Sequence, residues 1–338
     1  MNYINQVKYD GGVAGNVMPQ RIHLDANGIA SGEAFLISEL SKREVDIKKP
    51  LTSVTYPRDI KVNVGGGWVD SVVADSIEYG ATDDGDGSIT ATNSDGVPAI
   101  NVNFNRGLFK AHPFMRTLRL GWIDVQRADQ IGRSLDKALR DGVRLVYDKH
   151  MDRNVYVGFT TYGTFGLTNN PDVTATSASL GGNNSTLFAD KTPDEILEDF
   201  NQAITSVWEN SGFDEDAVPN HILIPNKVYA SLVSRKVSDV ASKSILTYLL
   251  ENNIAKTKGV DLRIEGCRWC DGAGLNGTDR MIVYVNKERF LSVDELQPLA
   301  MSMTTPNAKF ASYDTLYSAN ISETKIYYAE SIMYVDGI

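Results

Sequence analysis

Cys267 and Cys270, in the run CRWC, have the spacing of a redox dithiol or of half a zinc site. Zinc would need two further ligands, and the chain holds only 2 cysteines, so there is no second CxxC. A redox pair sets its first cysteine at a helix start after a strand; here a glycine-rich loop, Asp271 to Thr278, follows, and the two read as ordinary buried or loop thiols. Asp83, Asp84 and Asp86, in DDGDGS, resemble the opening of a calcium loop. That loop needs Gly at its sixth position and a bidentate Glu at its twelfth. Counted from Asp84 those positions hold Ile89 and Asp95, so an acidic hairpin tip is the better reading. Gly65, Gly66 and Gly67 are followed neither by Lys-Ser/Thr nor by a helix, which argues against a phosphate loop. His23, His112, His150 and His221 are isolated in sequence, none in an HExxH spacing. Asn-x-Ser/Thr triplets at Asn183, Asn184, Asn276 and Asn320 carry meaning only in a secreted chain. No nucleophile, base and oxyanion donor converge in this pattern, and we expect no catalytic residue, no cofactor and no metal.

The elements that would position such groups belong to a chain of 338 residues, long enough for two or three subdomains with real cores. Its 42% hydrophobic and 22% charged content is ordinary for a folded soluble protein. A formal charge of −10 and a pI near 5.0 argue against broad clamping of nucleic acid, though not against a local patch. So few cysteines imply no disulfide framework and fit a reducing interior. The N-terminus lacks the order of a signal peptide, and no run approaches the ~18 apolar residues of a membrane span. A soluble intracellular product is expected.

One stretch dominates the periodicity. From Asp124, apolar or small residues recur at Val125, Ala128, Gly132, Leu135, Leu139, Gly142, Val143, Val146 and His150, the spacing of one helix face. Its other face carries opposite charges four apart, Asp129 with Arg133, Asp136 with Arg140, and Arg144 with Asp148. The helix would be about 40 Å long at 1.5 Å per residue. Gly132 and Gly142 inside it mark an expected bend or close approach.

Before this helix the period changes to two. Ile60, Val62 and Val64 alternate with polar residues, strand character continues through Trp68 to Ile77, and Gly80 to Val97 is made of turn-formers. It returns at Ile100 to Phe104 and at Phe114 to Leu120, so a long antiparallel excursion with its tip in the middle is expected. Between Val64 and Ile100 every ionisable residue is acidic; between Asn101 and Ile123 all are basic, Arg106, Lys110, Arg116 and Arg119. A two-stranded ribbon is marginal alone in water, so another subunit should support it. Residues 1 to 50 read as an arm, with a short helix from Ser31 to Leu40. The basic cluster Lys42, Arg43, Lys48 and Lys49 reads as a solvated linker, or as a contact to a neighbour or nucleic acid.

After the long helix, Val155 to Thr164 reads as a short strand and turn, and Thr174 to Ser185 as a low-complexity loop. Thr192, Pro193 and Glu195 start a second amphipathic helix that Gly212 stops. Pro219 to Pro306 has α/β density: strands at His221 to Pro225, Asp261 to Cys267 and Arg280 to Val285, the last apolar enough to be buried on both faces, and a helix from Ser242 to Asn253. Asp271 to Thr278 reads as a flexible exposed loop, and Tyr313 to Ile338 as strands that join a sheet.

This order of parts resembles the major capsid proteins of tailed bacteriophages, the Hong-Kong-ninety-seven-type fold shared with encapsulin shells. GLTNNPDV, Gly166 to Val173, is similar to the Gly-Leu-x-Asn-x-Pro turn that follows the spine helix there, and the ending SIMYVDGI, Ser331 to Ile338, to the terminus of one branch. The resemblance covers nearly the whole chain.

It implies an α+β fold with an N-terminal arm at 1–50 and a β-rich segment at 51–123 carrying an extended E-loop within about 68–115. A peripheral (P) domain would cover 124–216, with spine helix 124–152 and second helix 192–211. An axial (A) domain would cover 217–307, and a C-terminal β-segment, 308–338, would return to the P domain. The function implied is a structural protein that self-assembles into pentamers and hexamers of an icosahedral head around double-stranded DNA. It would be assembled in the host cytoplasm, with portal, scaffold or decoration proteins as further partners and no membrane. Asp83, Asp84, Asp86, Arg106, Lys110, Arg133, Arg140 and Arg144 are the candidate contacts between subunits. Some relatives crosslink subunits through a Lys–Asn isopeptide bond; Lys110 lies near this E-loop without aligning to that position, so no crosslink is assigned. The alternatives are an encapsulin-like nanocompartment shell and, from another class, a cytoplasmic enzyme using residues 219–306.

Overall fold

The structure is a computed structural model describing residues 53–81, 100–130, 135–238 and 243–338. The arm, His23, Asp83, Asp84, Asp86, Gly132 and Arg133 lie outside these residues. From Val54 to Ile338 the chain is one compact unit. It opens with α1 (Tyr56–Asp59), β1 (Val62–Val64), β2 (Ser71–Ala81) and β3 (Ile100–Gly121). Helices α2 (Trp122–Gln130) and α3 (Leu135–Tyr156), strand β4 (Thr174–Ser177) and helix α4 (Pro193–Asn210) follow. Next come β5 (His221–Pro225), α5 (Asn226–Ser234), α6 (Ile245–Asn252), α7 (Ile254–Thr257), β6 (Arg263–Cys267) and β7 (Arg280–Tyr284). The chain closes with β8 (Leu291–Asn307), β9 (Ser312–Ser322), β10 (Lys325–Ile326) and β11 (Ile332–Asp336).

A 5-stranded mixed sheet, ordered β4-β11-β7-β5-β6, divides the interior. Alternation along each strand sends successive side chains to opposite faces. Ile222, Ile224, Met281, Val283, Met333 and Val335 point into one core, against Phe200, Ile204 and Val207 of α4 and Leu249 of α6. Leu223, Ile282, Tyr284, Ile332 and Tyr334 point into the other, with Tyr147, Met151 and Val155 of α3 and Val293, Ala319 and Ile321 of β8 and β9. Every residue of β5, β7 and β11 is buried, the burial on both faces that the apolar run at Arg280 requires. Helix α4 begins as its sequence dictates: Thr192 and Glu195 exchange the two bonds of a capping box, with Pro193 at the first turn.

A second sheet runs β1-β8-β9-β3-β2, with β10 also on β8. β3 pairs with β2 from Ile100 to Lys110 and with β9 from Ala111 to Gly121, so one strand serves first a two-stranded ribbon and then the body.

Sequence expectations change at several points. Val155 and Tyr156 end α3 rather than start a strand, and only a 3-10 turn, Thr160–Tyr162, follows. Thr174 to Ser177, expected as loop, pairs in parallel with β11; backbone bonding to a distant strand needs no apolar pattern, and all four residues are exposed. The glycine-rich turn after Cys270 is exposed as expected, yet it is held by Gly274 N–H to Thr278 O at 2.8 Å within the turn and by Leu275 N–H to the Asp336 carboxylate of β11 at 3.0 Å. The buried face of α3 is also rotated from the expected stripe. Tyr147, Met151, Asn154 and Val155 go inward while Val146 is 48% exposed, because the large side chains claim the contact with the sheets.

Gly142 makes no close approach either: a Cβ there would meet nothing within 4 Å. Gly142→Ala is therefore expected to raise stability by about 0.5–1 kcal/mol, the helix-propensity difference, read as a higher urea midpoint. A midpoint at or below that of the parent would show that the glycine serves some contact instead.

GLTNNP supplies what a buried helix end needs, partners for its last carbonyls. Leu167 N–H donates to Val155 O at 2.8 Å, Thr168 N–H to Tyr156 O at 2.8 Å, and Asn169 Nδ2 to Val157 O at 2.9 Å. Asn169 Oδ1 accepts from Gly166 N–H at 2.8 Å and closes the turn. The Tyr334 hydroxyl donates to Leu167 O at 2.8 Å, and Arg280, paired with Asp336, donates to Thr168 O at 2.6 Å. The turn is thereby fastened to β11 and β7.

Candidate assembly surfaces

The register of β2 and β3 sorts the ribbon's side chains into two faces. Val73 opposes Leu108, Asp75 opposes Arg106, and Ile77 opposes Phe104, with Val102 continuing the same face. On the other face Val72 opposes Phe109, and Phe109 packs edge-on against Tyr327 of the body. The first face is apolar and bare: Phe104 is 77% exposed, Leu108 64% and Ile77 49%. Arg106 and Asp75 form an ion pair across its middle at 2.9 Å. Both side chains are well exposed, so the pair contributes at most about 1 kcal/mol and serves to fix register.

The other expected contact residues divide. Arg106 and Lys110 lie four apart on one face of β3, and Lys110 gives its ammonium to Tyr162 O at 3.1 Å. Arg144 pairs with Asp148 at 3.5 Å, the i,i+4 spacing read from the sequence, and Arg140 is exposed one turn before it. Asp83, Asp84, Asp86 and Arg133 are outside the described residues. Charge pattern drew attention to these residues; the apolar ribbon face went unmarked because its residues also read as ordinary strand. The signal that finds it is the register, which gathers Val73, Ile77, Val102, Phe104 and Leu108 of the two limbs on one side.

Inside the body, α1 delivers a carboxylate to a position where chemistry would be conspicuous. Asp59 is fully buried. Arg58 Nε and Nη2 donate to its two oxygens at 2.6 and 2.8 Å, and the Tyr156 hydroxyl also donates to it. His221 Nε2 is 3.7 Å away, beyond hydrogen-bond length. Tyr284 donates to the Asp59 carbonyl at 2.6 Å. Burial pushes the Asp59 pKa up, but His221, Arg58 and Tyr156 outweigh it, and the carboxyl is held below its ordinary 3.8. Each donor comes from a different element, α1, α3 and β7, so the group ties elements together. Asp152 does the same at the start of α1, accepting from Thr55 N–H at 2.8 Å and Trp269 Nε1 at 2.7 Å.

Cys267 and Cys270 are free and buried. Cys267 beside it and then burial push the Cys270 thiol well up, away from the reactive thiolate. Among the described residues no three His, Cys, Asp or Glu converge as a metal-holding group, and no helix is long and apolar enough to cross a membrane.

In overall arrangement the chain is similar to the capsid of Myoviridae phage XM1, with a TM-score of 0.72 at 16% identity, covering 89% of this chain and 98% of that one. It is also similar to a chain of Microbacterium phage Oxtober96, at 0.60 and 12% identity over 90% and 98%. A virus-like particle from Pyrococcus furiosus gives 0.51 at 16% identity over 83% and 91%. These likenesses carry the fold, the α+β capsid fold of tailed phages. Comparison with curated proteins returns no match. The family model described as "Major capsid protein" matches residues 85–338, about three quarters of the chain, and the protein therefore belongs to the major capsid protein family.

Proposed function

We propose that copies of this chain assemble into pentamers and hexamers of an icosahedral phage head that encloses double-stranded DNA, built in the host cytoplasm. The observation that carries the proposal is the apolar face of the β2–β3 ribbon, which the described residues leave bare. A ribbon of that kind is marginal in water until a second surface covers it. In this reading the ribbon belongs to the E-loop, α3 to the spine, and α4 to the P domain. The A domain is 217–307, and Arg106, Lys110, Arg140 and Arg144 meet charges on neighbouring subunits. Many modest contacts then add through multivalency. The formal charge of −10 suits an inner wall that does not stick to packed DNA. Portal, scaffold and decoration proteins are the expected further partners. An encapsulin-like shell is the less favoured reading, the XM1 capsid being the better structural fit.

Ile77→Asp with Phe104→Asp is expected to leave the monomer folded, with unchanged circular dichroism, and to abolish rings and shells in sedimentation and electron microscopy. Wild-type protein that remains monomeric under all assembly conditions would sink the assembly proposal, and a variant that assembles normally would remove the ribbon from it. Nuclease-protected double-stranded DNA in native particles separates a phage head from a protein-filled compartment.

A further inference from the structure

β3 changes partner between Lys110 and Ala111, so the root of the ribbon is the short stretch Phe109 to Phe114. Side chains hold this root to the body. Lys110 gives its ammonium to the carbonyls of Tyr162 and Gly163 at 3.1 and 3.4 Å, and its backbone N–H to the Glu323 carboxylate at 2.7 Å. The His112 ring lies 5.7 Å from that of Tyr162. Phe114 sits against Tyr147 at 5.3 Å and His150 at 4.8 Å, and His150 stacks on Phe159 at 4.8 Å. Two imidazoles therefore occupy the seam where the ribbon root, the end of α3 and the turn Thr160–Tyr162 meet.

The charges facing this seam are mostly cations. β3 brings Lys110 and Arg116, and α3 brings Arg153. The link between β9 and β10 brings Glu323, whose carboxylate is engaged by the Lys110 N–H. The turn contributes only rings and carbonyls, and the Tyr147 hydroxyl is committed to Glu295 of β8 at 2.7 Å. His112 Nε2 is buried with no hydrogen-bond partner.

We infer that this seam is an acid-sensitive joint: protonation of His112 and His150 converts a neutral aromatic seal into a cluster of like charges and frees the ribbon root from the end of α3. The geometry demands this sign. Burial first, then Arg116 and Arg153, hold His150 down to about 4, and burial with Lys110 lowers His112. Both rings take up protons near the ordinary 6.5 only after the seam opens, so the closed form is favoured above that pH and is progressively lost as pH falls toward 4. Glu323 acts in the opposite sense. Burial raises its pKa above the ordinary 4.5, so its protonation favours the closed seam, but the imidazoles respond first as pH falls from 6.5. The joint follows from the single chain and stands independently of the ribbon's role in assembly.

Hydrogen exchange of the full-length protein, corrected for the intrinsic pH dependence of exchange, tests it. Peptides spanning 109–114 and 157–163 are expected to exchange on the order of tenfold faster at pH 5 than at pH 7.5, while peptides from β5 and β7 keep their protection. His112→Gln with His150→Phe, which keeps a ring between Phe114 and Phe159, should flatten that response. Should the pair not fold, His150→Phe alone must shrink it. Seam protection that ignores pH, a rise shared equally by β5 and β7, or an undiminished rise in the variant would each overturn the inference.

Discussion

Gly166→Ala is expected to leave the protein unable to reach a stable fold. A Cβ at this position would come closer than 3.0 Å to the carbonyl carbon and oxygen of Tyr156 and to the nitrogen of Val157. All three are backbone atoms of a helix end held by Thr168 and Asn169, so no side chain can swing away to make room. Relief requires lifting the turn off the helix, which strips the Tyr156 and Val157 carbonyls of their partners, leaves the Val155 carbonyl only the Thr324 hydroxyl, and exposes Leu167. Each buried carbonyl left unpaired costs about 1–3 kcal/mol, and the whole exceeds about 4 kcal/mol. Against a total stability of about 5–15 kcal/mol that is most of the margin. The measurement is soluble yield and urea midpoint. Pro171→Ala, at an exposed position of the same turn, is the control and should stay within about 0.5 kcal/mol of the parent. A soluble Gly166→Ala protein with a near-parental midpoint would show that the helix end and turn are not locked together.

The second large effect is at Asp59. Asp59→Ala removes the carboxylate that Arg58 and the buried Tyr156 hydroxyl share, leaving Arg58 with Glu265 and the Gly266 carbonyl and Tyr156 with Thr55. Breaking a buried pair by deleting one partner costs about 3–5 kcal/mol. Arg58 is 33% exposed and can rehydrate, which puts the expectation near the lower end, about 3 kcal/mol. The pH dependence gives a second, independent reading. Because the folded carboxyl sits below its ordinary 3.8, its contribution is fully present above that value and is lost as pH falls through the folded pKa. Urea midpoints at pH 7 and pH 3 should therefore differ less in Asp59→Ala than in the parent. Equal acid sensitivity of the two proteins would remove Asp59 from the acid limb of the stability curve.

Much of the fold could be read from local pattern because the physics there is local. Thr192, Pro193 and Glu195 specify a helix start within four residues, and the apolar run at Arg280 specifies a strand covered on both sides. Other features escaped because their causes lie far along the chain. Asp59 finds Tyr156 97 residues away, and its carbonyl meets Tyr284 225 residues away. Thr174 to Ser177 has no apolar pattern, since β11 alone makes it a strand. On α3 the spacing announced a helix correctly, yet Tyr147 and Met151, rather than Val146, decided which side goes inward. The ribbon was legible as two strands, but its bare apolar face emerged only with the register that aligns Ile77 with Phe104.

β3 also has a mechanical consequence. The strand that carries the ribbon continues unbroken into the body, where pairs from Ala111–Ser322 to Gly121–Ser312 bind it to β9. A pull on the ribbon along its length therefore loads those hydrogen bonds in shear, all sharing the force together, instead of peeling them open one after another. Each is worth only about 1 kcal/mol at equilibrium, yet under tension they act as a single anchor. A ribbon gripped at its far end would drag the β8–β9 sheet of its own subunit before it tore loose, making it a tether as much as a clasp.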